Sequence, residues 1–131
     1  MEDANLVMVL VAAIAAMIVG ALWYMVLFQK PWAKEMGMNI EHMQNDKKKG
    51  MGKSLLVDFV TRLFAAYVFA HIVTAIGGNP FEGAFWIWLG FFVPALVAQV
   101  VWEGKSMKLY AINVSHWLAV LLAMALVFSF F

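Results

Sequence analysis

The sequence predicts an all-α integral membrane protein, a four-helix up-down bundle with a short interfacial helix in its first loop, and three observations lead there. Of 131 residues 65% are hydrophobic and 13% charged, with a mean hydropathy of +0.84, which leaves too little polar surface for a soluble monomer. Apolar runs at 6–28, 55–76, 84–102 and 109–131 each approach the roughly 20 residues that cross a hydrocarbon core of about 30 Å. The second and third connections are short, which forces neighbouring helices to be antiparallel. The chain is therefore read as one transmembrane domain, 1–131, with a single sizeable extramembrane loop at 29–54.

The first run follows Glu2 and Asp3. It is longer than a signal-peptide core and has no clear small-residue cleavage site behind it, so it reads as a retained helix. In the first loop, Trp32, Met36, Ile40 and Met43 fall at helical spacing. They form one apolar face, interrupted at Gly37 and restarted at Asn39 as an N-cap, suited to the headgroup layer. The following Lys47-Lys48-Lys49-Gly50-Met51-Gly52-Lys53 reads as a flexible cationic strip, a topology signal first and a contact for anionic lipid second. Gly77-Gly78-Asn79-Pro80 predicts a tight external hairpin. Pro94, in the third run, should free the Gly90 carbonyl and kink that helix for packing.

Lys30, Lys34, Lys47, Lys48, Lys49 and Lys53 lie in the first loop and Lys105 and Lys108 in the third, whereas the N-terminus, second loop and C-terminus hold no Lys or Arg. The positive-inside rule then puts both lysine-bearing loops in the cytoplasm and both termini outside. A net charge of +1, with no strongly basic surface beyond those loops, argues against nucleic acid as a partner. Membrane lipids are the expected surroundings. The absence of cysteine removes thiol and disulfide chemistry.

Asp58 and Arg62 lie inside the second run, where a charge costs about 2.5–3.5 kcal/mol on insertion scales. Four residues apart, they share a helix face and can pair. Counting about 1.5 Å per residue from the cytoplasmic side puts Asp58 at about 6–8 Å and Arg62 at about 12–14 Å. Asn113 and His116 of the last run, Gln99 and Glu103 closing the third, and Trp23 and Tyr24 of the first fall in the same layer. Polar groups in a bilayer face protein or water, so the expectation is an inward-facing cluster of Asp58, Arg62, Gln99, Glu103, Asn113 and His116, lined by Trp23 and Tyr24. The plainer alternative is an ion pair that only fixes helix register. No nucleophile arrangement, phosphate-cradling glycine loop, zinc motif or haem motif occurs, so neither an enzyme nor a cofactor is expected. Met36, Met38, His42, Met43 and Met51 read as apolar anchors rather than a copper site, and no metal is expected. His71 reads as a helix-helix hydrogen bonder. Phe81, Phe85, Trp86 and Trp88 look like an outer aromatic belt, and Trp23, Trp32 and Trp102 like an inner one.

Small residues recur every fourth position: Ala111, Ser115, Ala119 and Ala123 in the last run, Ala12, Ala16 and Gly20 in the first, Ala66, Ala70 and Thr74 in the second. Close backbone approach drives helix association in lipid, so these ladders mark interfaces. They serve either the bundle itself or a homo-oligomer or larger membrane complex.

Gly20-Ala21-Leu22-Trp23-Tyr24, Lys30-Pro31-Trp32, Met36-Gly37, and Trp102-Glu103-Gly104-Lys105-Ser106-Met107-Lys108-Leu109 with Ile112-Asn113 and His116 resemble the domain of unknown function 1761 family. The pattern departs at Met25-Val26, where the family often has Ser-Pro, and at Ser115, where it often has Tyr. The resemblance implies a small bacterial protein with about four membrane helices, hence the cytoplasmic membrane, and it implies no activity. Two functions are weighed: a transport or channel-like protein with a cytoplasm-facing polar site, and a non-catalytic membrane subunit or assembly factor acting through its small-residue faces.

Overall fold

The computed structural model describes residues 6–37 and 40–130, with side chains at 6–37 and 52–130, and every element among them is helical. Helix α1 (Leu6–Ala21) continues into a π-helical turn at Leu22–Leu27 and is followed by α2 (Gln29–Met36) and α3 (Ile40–Ile76). Then come α4 (Pro80–Ile87), a second π-helical turn at Trp88–Phe92, α5 (Val93–Val101) and α6 (Met107–Ser129). Among the described residues, Leu6–Leu27, Gly52–Ile76, Pro80–Val101 and Met107–Ser129 are the four helical stretches long and apolar enough to cross a membrane; they are spans one to four below.

Local chemistry explains where the elements start and stop. Gly37, at φ 69°, ends α2 by donating its N–H to the Ala33 and Lys34 carbonyls, a left-handed C-cap that glycine adopts without strain. Gly77 and Gly78, at φ 77° and 85°, make the turn after α3. The Asn79 side chain then accepts from Phe81 N at 2.8 Å, and Pro80 fills the first helical position, where a missing N–H costs nothing. The third span thus starts at Pro80 rather than at 84. The lysine strip at 47–53, expected to be flexible, lies within α3. Lysine and methionine favour helix enough to carry Gly50 and Gly52, each of which costs about 1 kcal/mol there. Asn39 and the side chains of Ile40, His42 and Met43, invoked for an interfacial helix, lie outside the described residues.

Pro94 produces a different result from a simple kink. The π-helical turn lies just before it, with Val93 N–H donating to the Trp88 carbonyl, and Pro94 enters the first turn of α5. The widened turn absorbs the donor that proline lacks.

Helix α1 packs on both α3 and α6, and α6 packs in turn on the third span. Ala12, Ala16 and Gly20 are buried as their spacing predicted, and their small size admits larger side chains from α6: Ile112, His116, Val120 and Met124. Close approach needs small residues on only one of two facing helices. The α6 ladder accordingly is not the buried seam: Ala111 is exposed and Ser115, Ala119 and Ala123 are half-buried. From α3, Ala66, Phe69 and Ala70 enter the core, with the Phe69 ring 5.3 Å from Phe128. Helix α3 meets α4 beside the hairpin, where Val73 lies against Gly83. Between α3, the third span and α6 runs an apolar lateral groove of about 290 Å³, lined by Phe64, Val68, Phe92, Trp117, Leu121 and Met124 among others.

Candidate functional site

Arg62 is tied down at two of its three nitrogens. Its Nε donates to Asp58 Oδ2 at 3.0 Å, one helical turn back, with side-chain exposures of 11% for Arg62 and 45% for Asp58. Its Nη1 crosses to α1 and donates to the Ala16 carbonyl at 3.1 Å. The guanidinium carbon stands 5.8 Å from the centroid of a Trp117 ring, near enough for a cation–π attraction. The remaining nitrogen lies against Gly20. A Cβ at that position would sit 2.8 Å from Nη2, 3.3 Å from Cζ and 3.4 Å from His116 Nε2. Gly20 is thus a bare spot on α1 where a guanidinium from α3 and an imidazole from α6 converge.

The first π-helical turn brings two aromatic donors onto α6. Its signature bond runs from Phe28 N to the Trp23 carbonyl at 2.9 Å. Widening the turn brings consecutive side chains closer in direction, and Trp23 and Tyr24 both reach the same neighbour. Trp23 Nε1 donates to the Ile112 carbonyl at 3.1 Å, and Tyr24 Oη donates to Asn113 Oδ1 at 2.7 Å. Asn113 Nδ2 passes the chain on to Gln99 Oε1 at 3.2 Å. The second π-helical turn does the same from the other side, with Trp88 Nε1 donating to the Val114 carbonyl at 2.7 Å. Tyr110 Oη returns a bond from α6 to the Val93 carbonyl at 2.9 Å. Helix carbonyls therefore accept from three of these four aromatic donors, as apolar surroundings require.

His116 is the exception. It is 2% exposed, with the Tyr24 ring at 4.8 Å and the Trp117 ring at 5.1 Å. Neither of its ring nitrogens has a hydrogen-bond partner among the described residues. A buried polar group left unpaired costs about 1–3 kcal/mol, and the rest of the site shows that this fold readily supplies partners.

The structure brings together Asp58, Arg62, Gln99, Asn113, His116, Trp23 and Tyr24. They form two assemblies: the Arg62–Asp58 pair beside His116, and the chain from Tyr24 through Asn113 to Gln99. The Tyr24 ring, packed on His116, joins them. Glu103 is not included. Helix α5 stops at Val101, and Glu103 is exposed in the following turn, its N–H bonded to the Ala98 carbonyl at 3.3 Å. Trp88 leaves the expected outer belt for its bond to α6, whereas Trp86 and Phe85 remain exposed, at 59% and 43%. His71 is exposed, edge-on to Tyr67 at 4.5 Å. Among the described residues no group of three or more His, Cys, Asp or Glu could hold a metal.

Sequence reasoning missed three members of the site: Trp117, Tyr110, and Gly20 as more than a packing residue. Gly20 did carry a signal, because it is the one ladder position without a Cβ and lies just before Trp23-Tyr24.

No curated protein matches the chain, and no solved structure matches it. The family described as protein of unknown function (DUF1761) matches residues 7–129, nearly the whole length, and the chain belongs to that family.

Proposed function

We propose that the chain is a transport- or channel-like membrane protein, without enzymatic activity, whose Arg62–His116 site takes a small polar solute from the cytoplasmic side. In this reading the four spans form an up-down bundle in a bacterial cytoplasmic membrane, lysine-bearing loops inside and both termini outside. The unpaired, buried His116 carries the proposal. An ion pair that merely fixed helix register would need only Arg62 and Asp58, and it would gain nothing from an unsatisfied imidazole beside it. Access is one-sided. Asp58, 45% exposed, is the edge of the site and lies nearer the lysine-bearing end of α3, while Met8, Val9, Ala12, Phe69, Val120 and Met124 pack tightly on the other side.

The test is osmotic swelling of proteoliposomes in glycerol and, with valinomycin and a protonophore present to balance charge and protons, in potassium nitrate. Wild type is expected to swell faster than protein-free vesicles, and Asp58→Asn and His116→Ala to return the rate toward that of empty vesicles. Equal rates for wild type and both variants would sink the reading.

A second reading, a non-catalytic membrane subunit or assembly factor that associates through small-residue helix faces, draws support from the α6 ladder, where Ala111 is exposed and Ser115, Ala119 and Ala123 are half-buried, and from the lateral groove, which can accept side chains from a helix of a second copy or of another membrane protein. Here Ala65→Trp, which plugs a groove-lining position, is expected to abolish cross-linked complexes in native membranes, and His116→Ala to leave them intact. Unchanged complexes with Ala65→Trp would remove this reading.

A further inference from the structure

We infer that the point where Arg62, His116 and Gly20 meet binds a small monovalent anion together with one proton, an inference that rests on the reading of this site as a solute site. The guanidinium divides its nitrogens: Nε on Asp58 Oδ2, Nη1 on the Ala16 carbonyl, and Nη2 turned to the bare face of Gly20. His116 Nε2 approaches the same spot, within 3.4 Å of where a Gly20 Cβ would stand. Its imidazole is 2% exposed and unpaired at both nitrogens. The guanidinium presents only donors, and the imidazole presents one donor when neutral and two once protonated. The complementary ligand is therefore an acceptor, and charge-assisted bonds to an anion are the strong form of that contact.

Cations fit badly. The nearby carboxylate, Asp58, is already engaged by Arg62, and a single imidazole is too few ligands for a metal.

Charge balance supplies the proton. Arg62 and Asp58 neutralise each other, so an anion entering alone would leave the site at net −1 in apolar surroundings. Protonation of His116 cancels that charge. The ionisable groups facing His116 are Tyr24 from span one and Asp58 and Arg62 from span two; span three contributes the uncharged Gln99 through Asn113. The same balance sets the selectivity. A divalent anion would leave a residual charge and has a far larger desolvation cost, so nitrate or chloride is taken in preference to sulfate. The guanidinium stands over Gly20, with Nη2 2.8 Å from where a Cβ would be, so the anion is received by Nη2 and His116 Nε2 turning off that face, a movement that the bare glycine permits and an alanine would hinder.

The experiment uses the full chain in neutral detergent, carrying His42→Gln and His71→Gln so that His116 is the sole histidine, with ¹⁵N-labelled imidazole. Sodium nitrate is titrated in weak buffer near neutral pH while ring ¹⁵N shifts and proton uptake are recorded. The expected result is a saturable shift of the His116 ring nitrogens, uptake of one proton per nitrate bound, and weaker binding of sulfate. Arg62→Lys and Gly20→Ala are expected to weaken nitrate at least about 10-fold, the scale of one charge-assisted bond, with circular dichroism unchanged. If His116 does not respond to nitrate, or if nitrate binds without proton uptake, or if sulfate binds as well as nitrate, the inference is overturned. Histidine-dependent swelling in glycerol alongside a silent nitrate titration would sink the anion and leave the solute site. Proton-linked nitrate binding without any flux would keep the anion site and remove the transport reading.

Discussion

Arg62→Met is expected to destabilise the fold by about 2 kcal/mol, the largest loss for any single change at the site. Removing one partner of a buried ion pair costs about 3–5 kcal/mol when the other charge is left stranded. Here Asp58 is 45% exposed and can be rehydrated, which discounts that figure. What remains is the bond to the Ala16 carbonyl, the contact with Trp117 and the filling of the space beside Gly20. Unfolding of the detergent-solubilised protein in increasing fractions of SDS measures it. In a double-mutant cycle, Asp58→Leu added to the Arg62→Met variant should cost clearly less than Asp58→Leu alone, because the two side chains form one unit. Additive losses would show that the pair does not hold the helices.

His116→Leu carries the opposite sign. Most substitutions of a buried residue destabilise, yet this one is expected to raise stability by about 1–2 kcal/mol, because it removes an imidazole that is desolvated without a hydrogen bond. The same SDS titration reads it, and the variant should swell no faster than empty vesicles in the flux assay. Stability gained as activity is lost is the signature of a residue kept for what it does rather than for what it holds. A loss of stability instead of a gain would mean that the imidazole is already bonded in the native state.

Much of this site was legible before the structure. The i, i+4 spacing of Asp58 and Arg62 predicts their ion pair, and shared depth along the spans places Tyr24, Asn113 and Gln99 within reach of one another. Glu103 stands apart because it follows the end of α5 at Val101, so helical register with Gln99 no longer fixes its position. The small-residue ladder of α6 is not the seam inside the chain, which leaves the other use weighed for it, contact with a second copy or another membrane protein. A ladder reports that a backbone can be approached, not that it is, and α1 supplies all the smallness this interface needs. Trp88 escaped because a tryptophan near a span end suits the interfacial belt, and only the second π-helical turn reveals that its indole is engaged by Val114. Neither π-helical turn announces itself in sequence: Pro94 hints at one, and nothing marks the other.

Those two π-helical turns have a consequence for how the molecule is partitioned. Each inserts one residue into an otherwise regular helix, at Leu22–Leu27 and at Trp88–Phe92, so the rotational phase of everything beyond it is set independently of what comes before. The Leu6 end of span one and the Pro80 end of span three can therefore present one face while the turns and the stretches after them keep Trp23, Tyr24 and Gln99 aimed at α6. Excising a single residue from either turn would restore an unbroken helix and swing those side chains by about 100°, which dismantles the polar layer without altering a single amino acid in it.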